Sequence, residues 1–280
     1  MAPIAETAAR EFRPIQYLGS KWRIREEISD AVRSVATGGV VHDLFAGTGV
    51  VSANLAANFD VEASDIQEYS RVLTSALTSP AEVSWDDWFA RADAQVSRWV
   101  KVFRLEGLLA LESDALQASE DSTDLLGEMI ESGSIVAAHE LKGRNGWLFE
   151  VVDEHVVAQL PTIFRYYGGV YFGYRQALML DALAVTARDQ IDGALDTRLA
   201  ALLGLASDLT SSVGGHFAQP IRTRDRNGEA KVGTLLSVAS ARSRSLRGRF
   251  LQQADRYRNL VPSDHRVTAH CEDFREALDR

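Results

Sequence analysis

Two glycines in the segment DLFAGTGVVS (residues 43–52) stand where an apolar strand gives way to a helix of small residues. Gly47 and Gly49 let the chain turn tightly and bring its amides close to a ligand, because no Cβ stands in the way. Eighteen residues after Gly47, Asp65 ends the next strand, where nucleotide-binding α/β proteins place a carboxylate on ribose hydroxyls. The spacing therefore predicts a site for an adenosine-containing cofactor.

The residues that flank the turn separate two classes of cofactor. A dinucleotide site holds a pyrophosphate at a helix N-terminus and prefers a third glycine, but this chain has Ser52 at that position. Asp43 precedes the turn, where its carboxylate would repel phosphate and suit an ammonium group. These features favour S-adenosylmethionine, which carries an amino group and no phosphate. An NAD-type oxidoreductase is the weaker alternative, since no acid/base pair is evident.

Helix and strand patterns alternate around the turn. Apolar residues recur at helical spacing over residues 24–36, VVHDLFAG predicts a short strand, and VVSANLAANF predicts a helix. VEASDI then predicts a second strand and QEYSRVLTSAL another helix, while RVTAH near the carboxyl end predicts a third strand. This order is typical of a parallel α/β sheet.

Three of these segments resemble motifs of the DNA adenine methylases related to Dam. DLFAGTGVVS resembles the cofactor motif, SDIQEYS the second motif, and IQYLGSKWRI the amino-terminal Y-x-G-x-K segment. The resemblance implies an α/β, Rossmann-like fold for S-adenosylmethionine-dependent methyl transfer, with an incomplete sheet and a large, mainly helical insert. It implies that the methionine part of the cofactor lies beside Tyr17, Gly19, Ser20 and Lys21. The other cofactor-binding residues that it implies in these segments are Asp43, Phe45, Gly47, Gly49, Asp65 and Ile66.

The segment AHCEDF (residues 269–274) resembles the third motif of the same family. The resemblance implies that Asp273 binds the amino group of the cofactor adenine and that the Phe274 amide binds a ring nitrogen. Methyl transfer to adenine N6 also needs a flipped base, acceptors for its amino group and an aromatic platform. The family supplies these from an Asp/Asn/Ser-Pro-Pro-Tyr/Phe motif on the strand that follows, yet no two of the six prolines here are adjacent.

The missing motif leaves two interpretations open. The 280 residues are either the amino-terminal part of an adenine methyltransferase, inactive without a carboxy-terminal part, or a noncatalytic DNA-binding or regulatory subunit with the methyltransferase fold. In the first case a second polypeptide is a candidate source of the catalytic motif. No residue of this chain is predicted to be catalytic.

The distribution of charge points to a polyanionic partner. The formal net charge is −9, yet residues 222–258 contain ten basic and only three acidic residues. Such a run alone is more often a solvated helix face, but with the resemblance we predict contacts to double-stranded DNA. RTRDRNGEAK predicts a hairpin with NG at its turn, and ASARSRSLRGRF an arginine-rich stretch that tracks the backbone or orders on contact. The predicted DNA-binding residues are Arg222, Arg224, Arg226, Lys231, Arg242, Arg244, Arg247 and Arg249.

Composition and length set the remaining expectations. Residues 1–75 with 265–280 are predicted to form the cofactor domain, and 76–264 the helical insert with its basic target-recognition region at 216–258. Cys271, the single cysteine, allows no disulfide within the chain and no cysteine cluster for a metal. No signal peptide or membrane span is evident, so we expect a cytoplasmic protein. The resemblance implies DNA methylation, for instance in restriction–modification.

Overall fold

The structure is a computed structural model and describes residues 12–15, 19–117, 119, 122–140, 146–213 and 219–279. The chain divides into two compact units, each assembled from separate segments. The first, called the α/β unit here, comprises Met1–Trp85, Gln190–Leu205 and Phe250–Arg280. The second, called the helical unit, comprises Asp86–Asp189 and Ala206–Arg249.

Helices account for most of the described residues. Short 3₁₀ helices span Lys21–Ile24 and Glu154–Gln159. No helix among the described residues combines the length and apolar character needed to cross a membrane. In chain order the α-helices are α1 (Arg25–Val35), α2 (Val50–Leu55), α3 (Glu68–Thr78), α4 (Trp85–Phe103), α5 (Glu106–Ala115), α6 (Asp124–Ser132), α7 (Ile135–Glu140), α8 (Gly146–Val151), α9 (Thr162–Tyr167), α10 (Tyr174–Arg188), α11 (Leu195–Leu209), α12 (Val232–Arg242), α13 (Leu246–Arg258) and α14 (Phe274–Leu278).

A parallel sheet of three strands organises the α/β unit. The strands lie in the order β1 (Val40–Asp43), β2 (Asp60–Asp65), β3 (Val267–Cys271). The register pairs Val41 with Val61 and Ala63 with Ala269. The predicted parallel α/β arrangement is confirmed, and the third predicted strand pairs with the second.

The two faces of the sheet differ in polarity because side chains alternate along each strand. Val61 and Ala63 of β2 face a buried core that includes Leu55 and Ala56. On the other face Glu62 Oε2 lies 2.6 Å from His270 Nε2, and Ser64 Oγ donates a 2.6 Å hydrogen bond to Glu272 Oε1. One face is therefore packed by apolar contacts, while the other carries polar pairs that bridge β2 to β3 and to the residue that follows it.

The compact units do not follow the domain boundaries predicted from the sequence. Residues 190–205 and 250–264 belong to the α/β unit, although the sequence placed them in the insert. Side-chain contacts explain the difference. Arg71 donates to the carboxylate of Asp196 at 2.8 and 2.9 Å, and the Phe12 and Tyr257 rings meet edge to face at 5.1 Å.

The helical unit is built around α10, much of which is buried. Leu178, Leu180 and Leu183 are fully buried, and Trp88 Nε1 donates to Leu183 O at 3.2 Å. At the start of α10 the Tyr174 hydroxyl donates a 2.7 Å hydrogen bond to Gly133 O, which links this helix to the end of α6.

A buried carboxylate caps the short helix α9. Asp181 of α10 accepts the N–H groups of Ile163 and Phe164 at 3.0 and 2.7 Å, satisfying two of the unpaired amides at a helix start. Burial raises the pKa of Asp181 to about 6, and these two hydrogen bonds oppose the shift without cancelling it. The folded protein therefore binds a proton here more tightly than the unfolded chain does.

This shift predicts the pH dependence of one contribution to stability. Because the folded pKa of Asp181 lies above the unfolded value, its contribution is greatest below about pH 4 and is lost as the pH rises to about 6. The loss corresponds to about 3 kcal/mol. Asp181→Asn should lack this dependence, so the difference in unfolding free energy between wild type and variant, measured by urea titration, should shrink across this range.

The matched control is Asp189→Asn, at the exposed carboxyl end of α10. It should leave the pH profile of the wild type unchanged. A difference between wild type and Asp181→Asn that is constant from pH 4 to pH 7 would contradict the assignment.

Candidate cofactor site and basic surface

The carboxyl ends of the three parallel strands lie along one edge of the sheet, because parallel strands end on the same side. Residues 44–49 follow β1, residues 66–67 follow β2, and residues 272–274 follow β3. This edge brings together most of the residues predicted to bind a cofactor. In open α/β sheets ligands commonly bind at such carboxyl ends.

Asp65 fixes the glycine turn to the end of β2. Its Oδ2 accepts the Gly47 N–H at 2.9 Å, and its Oδ1 accepts the Gln67 N–H at 2.9 Å. On the other side of the turn, Ser70 Oγ donates to Gly47 O. The carboxylate predicted to bind a ribose thus also holds the turn, and each oxygen keeps further acceptor capacity for a hydroxyl.

The two glycines of the turn share a backbone conformation but differ in the space around them. Gly47 and Gly49 have φ values of +56° and +76°, in the left-handed region that favours glycine. A Cβ on Gly47 would meet nothing closer than Phe45 O at 3.9 Å, so the space beside this glycine is open. A Cβ on Gly49 would lie 2.8 Å from Thr74 Cα, so here the space is filled by α3.

Half-buried Asp43 and buried Ser52 form a polar pair beneath the turn. Ser52 Oγ donates a 2.7 Å hydrogen bond to Asp43 Oδ2, and Ser52 is fully buried. Burial raises the pKa of Asp43, and the Ser52 hydroxyl and the Phe45 amide pull it partly back. Sequence reasoning noted Ser52 only as a missing glycine; the structure shows that its hydroxyl partners the carboxylate.

Large apolar side chains are exposed at this edge. Phe45 is 74% exposed and Ile66 is 68% exposed, while the Phe45 and Phe274 rings lie 5.6 Å apart at an angle of 41°. Exposed apolar groups of this size side by side are typical of a binding surface rather than of ordinary protein exterior. A flat apolar group such as a purine suits them.

The third predicted motif caps helix α14. Asp273 Oδ1 accepts the Arg275 N–H at 2.9 Å, and Phe274 is the first residue of the helix. An N–H at the first helical position has no acceptor inside its own helix. The Phe274 amide is therefore available to an acceptor on a ligand, and its bond to the cofactor stays a prediction.

The amino-terminal segment is attached to the helix that follows the turn. Asn54 of α2 donates to Arg25 O at 3.1 Å and to Ser29 Oγ at 2.7 Å. Just before α1, Gly19 has a φ of +89°, and Lys21 Nζ donates to Gly19 O at 3.0 Å.

Other predicted residues of this segment are placed only in part. Ser20 Oγ accepts the Trp22 N–H at 3.4 Å, while Tyr17 lies outside the described residues. The cofactor roles of Tyr17, Gly19, Ser20 and Lys21 remain predictions.

The predicted hairpin of the basic segment is present. Arg224 and Ala230 form an antiparallel bridge, the Lys231 N–H donates to Thr223 O at 2.7 Å, and Gly228 at the turn has a φ of +85°. The arginine-rich stretch after it is not irregular. It consists of the end of α12, a turn at residues 243–245 and the start of α13.

The predicted DNA-binding arginines fall into different environments. Arg222, Arg226 and Arg244 are exposed. Arg224 pairs with Glu131 at 3.0 Å and Arg247 pairs with Asp86 at 2.9 Å, both at the surface. Lys231 and Arg249 are half-buried.

Arg242 is a correction to the predicted set. It is 6% exposed and donates to Gly169 O and Val170 O, both at 2.9 Å. Its guanidinium thus holds the segment before α10, and the sequence could not distinguish this buried arginine from its exposed neighbours. Residues 214–218, which include the start of the predicted target-recognition region, lie outside the described residues.

Two of the three loops at this edge lie in a segment that matches a known family. Residues 17–98 match the model of a family described as D12 class N6 adenine-specific DNA methyltransferase. The matched segment contains α1, β1, the glycine turn, β2 and α3. Over these residues the predicted resemblance to the Dam-like adenine methyltransferases is confirmed. In the same comparisons neither a curated protein nor a solved structure matches the chain.

The two roles of glycine at the turn give a test of the packing. Gly49→Ala must place a Cβ against the Thr74 backbone, and we expect it to lower the free energy of unfolding by about 2 to 5 kcal/mol through strain and overpacking. Gly193→Ala is the control, since Gly193 has nearly the same φ, +75°, and open space around it. It should cost only about 1 to 2 kcal/mol. Equal losses in urea titrations would contradict the close approach of α3.

Proposed function

We propose that the chain is the cofactor-binding and DNA-recognition portion of an adenine-specific DNA methyltransferase, which transfers a methyl group from S-adenosylmethionine to adenine N6. One observation carries the proposal. The Asp65 carboxylate, the Gly47 turn and the exposed Phe45 lie together at the carboxyl edge of a parallel sheet, inside the segment that matches the D12 class. The sheet would be the first half of a Rossmann-like methyltransferase fold.

The residues of the edge match the chemical groups of S-adenosylmethionine one by one. The Phe45 and Phe274 rings and Ile66 would contact the faces of the adenine. The Phe274 amide and Asp273 would bind its edge. Asp65 would accept hydrogen bonds from the ribose hydroxyls with the acceptor capacity that Gly47 and Gln67 leave. Asp43, when ionised, would attract the α-ammonium group. When bound, the cofactor supplies the electrophilic methyl group.

A dinucleotide fits the same edge poorly. The half-buried Asp43 lies directly before the turn, where a pyrophosphate would sit, and the Ser52 hydroxyl already donates to the Asp43 carboxylate. Helix α2, which follows the turn, has only six residues and offers a small dipole to a phosphate. These features support S-adenosylmethionine as the cofactor.

The groups that hold the flipped base would come from outside the described sheet. Within the described residues the outer edges of β1 and β3 have no strand partner, and the sequence contains no pair of adjacent prolines. We propose that a further strand, supplied by a second polypeptide or a further segment, pairs with an open edge of the sheet and carries the base-holding residues. An unpaired parallel strand edge offers it a ready row of hydrogen-bond donors and acceptors.

A noncatalytic DNA-binding or regulatory subunit is the second candidate function. The absence of the adjacent prolines from the sequence favours it. In either case double-stranded DNA is the partner, approached by the exposed arginines Arg222, Arg226 and Arg244, and a cytoplasmic location is part of the proposal. S-adenosylmethionine binding separates the two candidates, because only the first needs it.

Cofactor binding is tested by substitution of the most exposed ring. Phe45→Ala should weaken S-adenosylhomocysteine binding about tenfold in titration calorimetry, since loss of an aromatic platform under a base costs about 1 to 3 kcal/mol. Val35→Ala is the matched control, because Val35 is 77% exposed in the same unit and ends α1 just before β1 begins. NAD should give no binding signal. Equal affinities for the two variants would rule out this edge as the adenine site.

Methyl transfer by the chain alone is a second test. The purified 280-residue protein should transfer no tritium from labelled S-adenosylmethionine to duplex DNA, because the residues that accept the adenine N–H groups are missing. Transfer by the purified chain that Gly47→Val abolishes would show instead that the catalytic groups lie within these residues.

A further inference from the structure

A cleft of about 470 Å³ opens in the helical unit beside the start of α10. The end of α5 forms another wall, and the turn between α12 and α13 forms a third. Three arginines line it from two separate parts of the chain, Arg175 on α10 and Arg242 and Arg244 near the turn. Among the described residues that line the cleft, Glu112 is the only acidic residue.

The carboxylate of Glu112 already has hydrogen-bond partners inside the protein. Its Oε2 accepts the Arg175 N–H at 2.9 Å, and its Oε1 accepts the Tyr174 N–H, so the carboxylate caps the start of α10. Burial raises the pKa of this carboxyl group, while the two amides and the positive charges of Arg242 and Arg175 oppose the shift. Glu112 thus offsets the buried Arg242, whose hydrogen bonds go to Gly169 and Val170.

The other two arginines leave the cleft with excess positive charge. Arg175 and Arg244 are both exposed, and neither guanidinium forms an ion-pair contact within the described part of the chain, although the charge of Arg175 also acts on Glu112. Helix α13 begins at the same place, where Ser245 Oγ accepts the Gly248 N–H at 3.1 Å. The first N–H groups of that helix add partial positive charge to the cleft.

We propose that this cleft binds a phosphate group of the DNA backbone between Arg175 and Arg244. The guanidinium group donates two parallel hydrogen bonds to a phosphate, and two such groups on a rigid frame define a position for it. Ser113 and Ser243 in the lining add hydroxyl donors. The inference rests on the proposed function, because that function makes DNA the substrate, and it adds Arg175, which lies outside the basic segment 222–258.

The experiment compares DNA binding by wild type and by the double variant Arg175→Gln with Arg244→Gln, using fluorescence anisotropy of a labelled duplex oligonucleotide. We expect the double variant to bind about tenfold more weakly at 0.1 M salt, and the slope of log K against log salt to fall by about one. Arg188→Gln is the matched control at the other end of α10, exposed like Arg175. Thermal melting checks that each variant is folded.

The possible outcomes distinguish DNA from a small phosphorylated ligand as the source of the phosphate. They also distinguish failure of the cleft proposal from failure of the proposed methyl transfer. Wild-type affinity and salt slope in the folded double variant would overturn the proposal. If wild type binds no DNA but inorganic phosphate raises its melting temperature, and the double variant loses that effect, then DNA is the wrong source and a small phosphorylated ligand is the right one. Arginine-dependent DNA binding by a wild-type chain that binds no S-adenosylhomocysteine would support the cleft while overturning methyl transfer.

Discussion

The hydrogen bond from the Gly47 amide to the Asp65 carboxylate is the contact on which the candidate site depends. It joins the turn after β1 to the end of β2 at 2.9 Å, and the second carboxylate oxygen fixes the start of α3 through Gln67. Because these bonds set the path of residues 44–49, they also place the Phe45 ring beside Phe274. A single carboxylate therefore holds both the turn after β1 and the residues between β2 and α3.

The same region shows how packing and binding share a short motif. Gly47 keeps open space, whereas the missing Cβ of Gly49 is what lets α3 approach the turn. The Asp43–Ser52 pair lies below, where burial raises the pKa of the carboxyl group. Burial disfavours the ionised form of Asp43, and a positive charge nearby would favour it. The ammonium group of the proposed cofactor would supply such a charge.

Local patterns in the sequence were enough to predict the sheet and much of the site. Short apolar segments bounded by turn residues predicted β1, β2 and β3, and the position of Asp65 eighteen residues after Gly47 predicted a carboxylate at the end of β2, beside the turn. The unit boundaries were not predictable, because they depend on contacts such as Arg71 with Asp196, which join distant segments. Arg242 was misjudged for a related reason: a run of arginines does not reveal which one is buried under carbonyl oxygens.

If the carboxyl edge of the sheet holds the adenosine, hydrogen–deuterium exchange of the wild-type chain with and without saturating S-adenosylhomocysteine will show it most directly. Exchange should therefore slow at residues 44–49, 65–68 and 272–275, with the Phe274 amide among the most affected, since it has no acceptor within its own helix. Binding that leaves these three segments unchanged, or that slows exchange only in the helical unit, would contradict the claim.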